Sequence, residues 1–186
     1  MNTLLCLVAL SLALPALAQE HHHATPSASP PASQRQEHPA YAGMQHRAIK
    51  ALSAQQIADL RAGKGMSLAL AAELNGYPGP AHVLELAAPL GLSEEQKRQS
   101  QILFDQMQSE ARILGESVIA GEAELDRLFR NKVVSAASLQ EATANAAHAH
   151  AQLRAAHLRY HLSMRQVLSA AQLEMYVRLR GYQISN

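Results

Sequence analysis

Leu92-Ser93-Glu94-Glu95-Gln96 and Leu168-Ser169-Ala170-Ala171-Gln172 are two copies of one pattern, Leu-Ser-x-x-Gln, and together they decide the fold. A serine followed three residues later by glutamine forms a capping box, in which the two residues satisfy each other's backbone N–H groups at a helix start. The first copy predicts a helix that runs to about Arg130. The second predicts a short helix that ends at Gly181, since glycine favours helix C-termini.

The segment between the two copies predicts a pair of long helices. Residues 131–135 predict a turn, and Ser138 with Glu141 predicts the start of the second helix, which runs to about Leu168. Apolar residues recur at the four-three spacing of a narrow stripe that packs against a partner helix. The first stripe contains Leu103, Met107, Ala111, Leu114, Val118, Gly121, Leu125 and Leu128, and the second contains Leu139, Ala142, Ala146, His150, Leu153, His157, Tyr160, Met164 and Val167.

These patterns predict an all-α fold built on a long antiparallel helical hairpin with short flanking helices. Alanine and leucine dominate the composition, and alternating β-branched runs of the kind found in strands are missing. The stripes are too long for a lone hairpin to cover completely. We therefore expect a homodimer formed chiefly by residues 92–168.

Composition and motifs exclude several classes of function. Lys plus Arg (16) and Asp plus Glu (15) nearly balance, and aromatic residues make up only 4%, so the basic, aromatic surface of a nucleic-acid-binding protein is not expected. No Gly-x-Ser-x-Gly, phosphate-loop or His-Glu-x-x-His motif occurs. We expect no enzymatic activity, no organic cofactor and no deep substrate pocket. The scattered carboxylates are expected on solvated faces: Asp59, Glu73, Glu85 and Asp105.

Residues 1–18 predict a secretory signal peptide that is cleaved after Ala18. Residues 4–14 form an apolar run, and Ala16-Leu17-Ala18 is a small-x-small cleavage pattern. The run is shorter than the roughly 18 residues of a transmembrane helix. Cys6 is the only cysteine, so the mature chain is expected to lack disulfides and thiolate metal ligands.

Three segments follow the signal peptide. Residues 19–43 are rich in Pro, Ser and His and predict a disordered tail. Residues 44–78 predict a segment of short helices, and residues 79–182 predict the helical-hairpin domain. The short elements comprise a helix opened by the capping box at residues 53–56, a helix over residues 67–74, and a helix over residues 80–88 that Pro80 opens.

His157 and His161 lie one helical turn apart and are candidate metal ligands. Residues four apart share a face of a helix, and Met164 follows three residues later. Imidazole and thioether donors suit Cu, Ni, Co or Zn better than Ca or Mg. The alternative is a polar stripe at a dimer contact. Methionines such as Met107 and Met164 also fit the filling of a core.

A second candidate site lies at the mature N-terminus, Gln19-Glu20-His21. The free amine, two amide nitrogens and the imidazole at position three would form a square-planar set suited to Cu(II) or Ni(II). The alternative is a solvated tail. An N-terminal glutamine that cyclised would lose the amine.

Paired Leu-Ser-x-x-Gln boxes flanking two long helices in an exported chain resemble the Spy/CpxP superfamily of periplasmic proteins, whose members carry paired LTxxQ motifs. The resemblance covers about residues 80–182. Proteins related to CnrX and ZraP share that scaffold and act as heavy-metal sensors. The resemblance implies an interlocked periplasmic dimer that is a metal-responsive stress protein, a sensor or buffer, or else an ATP-independent holdase chaperone. Its partners would be a second copy, a membrane-bound sensor or regulator, or unfolded client proteins.

The resemblance also implies candidate ligands. CnrX-like sensors use histidines from the helix before the first box, where this chain has His82. They also use a His-x-x-x-Met pair before the second box; Met164 matches the methionine, but Tyr160 stands in place of the histidine. The implied site contains His82, His157 and His161, with Glu85 and Met164 as further candidate ligands.

Overall fold

A computed structural model describes residues 41–182, and over these residues the predicted all-α fold is confirmed, with no β-strand. No helix in this part of the chain is both long enough and apolar enough to cross a membrane. The predicted signal peptide, the site at Gln19, Glu20 and His21, and nearly all of the tail lie outside the described residues. The described elements are a 3-10 turn at Met44–His46 and the helices α1 (Ala54–Arg61), α2 (Leu70–Glu73), α3 (Pro80–Glu85), α4 (Glu94–Arg130), α5 (Ala136–Val167) and α6 (Ala170–Leu179).

Capping boxes begin four of the helices, and three of them are the predicted ones, at Ser53, Ser93 and Ser169. The predicted start of the second long helix at Ser138 is wrong. Its N-cap is Ser135, whose hydroxyl accepts a hydrogen bond from the Ser138 backbone N–H, while the Ser138 hydroxyl accepts one from the Ser135 N–H. Because a serine at the third position replaces the usual Glu or Gln, the standard signature overlooks this box.

The two glutamines of the Leu-Ser-x-x-Gln boxes bind each other. Gln96 Nε2 donates to Gln172 Oε1 at 2.8 Å, and Gln172 Nε2 donates to Gln96 Oε1 at 3.0 Å. Gln96 Nε2 also donates to the Val167 carbonyl at 2.9 Å. The pair, which we call the glutamine clasp, joins the first turn of α4 to the first turn of α6.

Helices α4 and α5 form the long helix pair, and helices α1, α2 and α3 pack against it. The backbones approach closely at Gly121, where an added Cβ would lie 3.0 Å from Ala146 Cα. On α5 the buried face differs from the predicted stripe, because His150 is exposed and Ala149, Ala156 and His161 are buried. Alanine is only weakly hydrophobic, so the pattern of hydrophobic residues alone could not locate the buried face of α5.

The short helices pack on the long pair around two apolar clusters. The central cluster contains Ile49, Leu52, Leu60, Ala111, Val118, Ile119, Ala149 and Leu153. The second cluster contains Val83, Leu90, Leu92, Met164, Leu168 and Tyr176. The segment before α3 is therefore part of the folded structure, since Ile49, Leu52 and Leu60 belong to the central cluster.

The helix predicted over residues 67–74 is present but shorter, because α2 comprises only Leu70–Glu73. Met66 and Ser67 adopt left-handed backbone conformations with φ values of 43° and 63°. Two consecutive residues in that region cannot lie within a right-handed helix. The result is a loop, residues 63–67, that leads into α2.

We predict that Gly115→Ala destabilises the protein. An added Cβ would collide with the Leu60 carbonyl oxygen and lie 2.9 Å from its carbon, so α1 must shift away from α4. Overpacking of this kind costs about 1–3 kcal/mol, which exceeds the gain of about 0.5–1 kcal/mol from replacing a mid-helix glycine. Urea unfolding followed by circular dichroism measures the difference.

Gly65→Ala is the matched control, because an added Cβ there meets nothing within 4 Å. Its free energy of unfolding should stay the same or rise by up to about 1 kcal/mol. If Gly115→Ala is as stable as Gly65→Ala, the close contact between α1 and α4 is not a constraint on the fold.

Candidate functional site

Glu73 is a buried carboxylate on which several elements converge, and only 4% of the residue is exposed. Its Oε1 accepts hydrogen bonds from the Tyr176 hydroxyl, from His82 Nδ1 at 3.0 Å and from the Tyr182 hydroxyl at 3.2 Å. Its Oε2 accepts one from the Gly79 backbone N–H at 3.1 Å. The carboxylate thus ties α2, α3 and the turn before α3 to α6 and the residues that follow it. The expectation that Glu73 lies on a solvated face is wrong.

The charge on Glu73 is stabilised strongly enough to overcome its burial. Burial raises the pKa of Glu73, but the hydrogen bonds from His82 and Tyr176 outweigh that effect and lower the pKa to about 2. Burial and the hydrogen bond to Glu73 both raise the pKa of Tyr176. The proton therefore stays on the tyrosine, and the carboxylate is ionised at neutral pH.

Two imidazoles are held by their Nδ1 atoms. His82 Nδ1 donates to Glu73, and His161 Nδ1 lies 2.7 Å from the Tyr77 carbonyl oxygen and 3.7 Å from Glu73 Oε2. The shorter distance makes the carbonyl the partner of His161. In a neutral imidazole that donates through Nδ1, the lone pair lies on Nε2. Metal-binding histidines are commonly oriented by a carboxylate or carbonyl in this way.

The turn before α3 is fixed against α5 so that His161 fits beneath it. The Arg165 guanidinium donates to the Gly76 carbonyl at 2.8 Å and stacks 4.6 Å from the centre of the Tyr77 ring. At Gly79 an added Cβ would lie 2.9 Å from His161 Cε1. Only glycine leaves room for the imidazole at this position.

His157 is the buried polar group that lacks a partner. Only 2% of the residue is exposed, and within residues 41–182 its Nε2 is the buried side-chain nitrogen or oxygen without a hydrogen bond. Burial and the nearby charge of His161 lower the pKa of His157. His157 is therefore neutral at neutral pH. An unpaired imidazole nitrogen costs free energy unless a ligand or solvent satisfies it.

A cavity of about 610 Å³ brings these histidines to one place, although no deep pocket is expected from the sequence. It lies beside α2, α3, α4 and α5 and is lined by the loop at residues 63–67. The lining residues with imidazole, carboxylate or thioether groups are His82, His157, His161, Glu73, Glu85, Met66 and Met107, and the other polar ones are Lys64, Ser67 and Gln108. All three histidines proposed from the sequence therefore line a single cavity.

The other two predicted ligands, Glu85 and Met164, are less well placed to join the three histidines. Glu85 lines the cavity, but its side chain is 63% exposed and Oε2 lies 3.9 Å from Arg180 Nη1. Met164 is fully buried in the second apolar cluster. Over residues 41–182, no three His, Cys, Asp or Glu side chains stand in an arrangement ready to hold a metal ion.

Sequence reasoning missed the residues that organise the site. Glu73 belongs to a four-residue helix, and its partners Tyr176, Arg180 and Tyr182 lie more than one hundred positions later in the chain. No spacing rule links such distant residues. The one local signal was an acidic residue in an apolar environment, between Ala72 and Leu74.

Comparisons with protein-family models, with curated proteins and with solved structures found no match to this chain.

We predict that Tyr176→Phe lowers the free energy of unfolding by about 2 kcal/mol, the usual contribution of a hydrogen bond to a charged group. The Tyr176 ring is completely buried, so the variant keeps the packing and removes only the donor. Tyr41→Phe is the control, since Tyr41 is 79% exposed, and it should change stability by less than about 0.5 kcal/mol. Equal effects of the two substitutions would contradict the network.

The hydrogen bonds of Glu73 also predict that the stability of the protein depends on pH in the acid range. The pKa of Glu73 is lowered from 4.5 to about 2 in the folded protein. Its stabilisation is therefore complete above pH 4.5 and is lost as the pH falls from 4.5 towards 2. Glu73→Gln should be less stable than the wild type at pH 7 and should lose less stability across this window. Urea unfolding at several pH values measures the free energy of unfolding of both proteins. If the variant loses as much stability between pH 4.5 and pH 2 as the wild type, Glu73 is not the cause of the acid dependence.

Proposed function

We propose that this protein is a metal-responsive stress protein of the Spy/CpxP-like type, exported to the periplasm, where it senses or buffers a transition metal. The observation that carries the proposal is the shared cavity of His82, His157 and His161. Copper, nickel, cobalt and zinc are the ions that neutral imidazole binds well.

The electrostatics of the cavity favour a cation. His157 is kept neutral by burial, and the Nδ1 atoms of His82 and His161 face oxygen acceptors, so Nε2 is the nitrogen that each of these two rings could offer to a metal ion. Glu73 adds a negative charge behind His82 and His161 without being free to ligate, since both its oxygens already accept hydrogen bonds. This is the arrangement in which an outer carboxylate orients a ligating histidine and increases its basicity.

Metal binding by the mature chain should depend on His157 and His161. To remove the terminal histidines from the measurement, the parent carries His21→Ala, His22→Ala and His23→Ala. Adding His157→Ala and His161→Ala should weaken binding of Co(II), Ni(II), Cu(II) or Zn(II) by at least about tenfold in calorimetric titration. Affinity in the parent should fall as the pH drops through about 6.5, because protons compete for the imidazole nitrogens.

His148→Ala in the same parent is the control, because His148 is an exposed histidine of the same helix. It should bind metal with the parent's affinity. If the His157/His161 double variant also binds like the parent, these histidines are structural and the proposed function fails.

The scaffold we propose is an antiparallel hairpin that dimerises through α4 and α5. Ile102 and Ile113 are 48% and 68% exposed and lie three helical turns apart, hence on one face of α4. In the dimer this face would be covered by the second copy. The alternative function, an ATP-independent holdase, is favoured by the same residues, because an exposed apolar face is what unfolded clients bind.

We predict that the mature wild-type protein sediments at twice the monomer mass, and that Ile113→Asp shifts it to the monomer. Val133→Asp, at an equally exposed position in the turn between the long helices, should leave the dimer intact. A monomeric wild type would contradict the dimer. If that monomer also suppressed aggregation of an unfolded client without ATP or metal, and Ile113→Asp abolished the effect, the holdase function would take precedence.

A further inference from the structure

Met107 and Met164 are both buried, but they lie in different surroundings. Met164 packs inside the second apolar cluster, as a core-filling methionine does. Met107 is 8% exposed, yet it belongs to neither apolar cluster and lines the cavity instead. Met107 is therefore buried as part of the cavity wall.

The side chains that line the cavity include this thioether and two imidazoles from the two helices of the long pair. Met107 is on α4, whereas His157 and His161 are on α5. The unpartnered Nε2 of His157 is a second, independent sign that a ligand belongs here, because it is buried and without a hydrogen bond. A bound ion would satisfy that nitrogen.

The donor types indicate the class of metal. Thioethers are soft, uncharged ligands that select Cu(I), whereas Zn(II), Co(II) and Ni(II) gain little from them. Soft monovalent d10 ions also accept two or three donors, so two imidazoles and one thioether complete their coordination without a carboxylate.

We propose that Met107 is a metal ligand and that, with His157 and His161, it makes the cavity a site for soft monovalent ions, Cu(I) in particular. This inference rests on the proposed metal-binding function and specifies its ion. Ag(I), which has the same charge and softness and does not change oxidation state, is the probe.

The test compares the full mature chain carrying the His21→Ala, His22→Ala and His23→Ala substitutions with the same chain carrying Met107→Leu. Leucine matches the volume of methionine and removes only the sulfur. Affinity for Ag(I), and for Cu(I) in competition with a chromophoric chelator under anaerobic conditions, should fall at least about tenfold. Affinity for Zn(II) should change by less than about twofold. Met175→Leu, an exposed methionine outside the cavity, should match the parent for every ion.

A second measurement does not depend on how the variant folds. In protein labelled with 13C at the methionine methyl groups, Ag(I) should shift the Met107 resonance and leave that of Met175 in place. An unshifted Met107 methyl, or undiminished Ag(I) affinity in Met107→Leu, overturns the proposal. If divalent ions still bind through His157 and His161 in that case, only the choice of ion is wrong. If no ion binds through those histidines, the proposed function fails as well.

Discussion

The arrangement of the short elements around the candidate site depends on one buried charge, the carboxylate of Glu73. Taking an ion out of water costs several kcal/mol, and that cost is offset only where hydrogen-bond donors surround the ion. Here the donors come from α3, from the turn before it, and from the end of the chain, at His82, Gly79, Tyr176 and Tyr182. Short elements with little apolar surface of their own are thereby held in place by a shared acceptor. Moving these segments apart would leave the charge with fewer donors, so the network opposes their separation.

Close backbone contacts impose the second constraint. Because glycine has no side chain, the end of α1 approaches closely at Gly115 and α5 approaches closely at Gly121. The imidazole of His161 approaches closely at Gly79. A glycine in the middle of a long helix costs stability relative to alanine, so its presence is explained by what approaches it. The first two contacts set the spacing of the helices around the central cluster. The third sets the position of a candidate ligand. Close approach at a glycine therefore shapes both the helix packing and the candidate site.

Three of the four capping-box helix starts could be predicted, because their determinants are local. Ser93 with Gln96 and Ser169 with Gln172 act within one turn, and the structure has both boxes. The mutual hydrogen bonds between the two glutamines could not be predicted, because they join residues that are distant in sequence. The candidate site shows the same division. His157 and His161 share a helix face and could be paired from spacing alone, and the family resemblance contributed His82. Glu73, which orients His82, had no sequence signal strong enough to distinguish it from a surface acid.

The charged groups at the cavity include Lys64 in its lining and the network around Glu73. Glu73 is ionised and Tyr176 keeps its proton, so this network contributes a negative charge, which Arg180 Nε offsets in part at 3.7 Å. The imidazole of His157 is neutral because protonation in a buried site beside His161 is unfavourable. The ionised carboxylate of Glu73 favours a positive charge nearby. Burial also leaves His157 Nε2 without a hydrogen bond, which costs free energy.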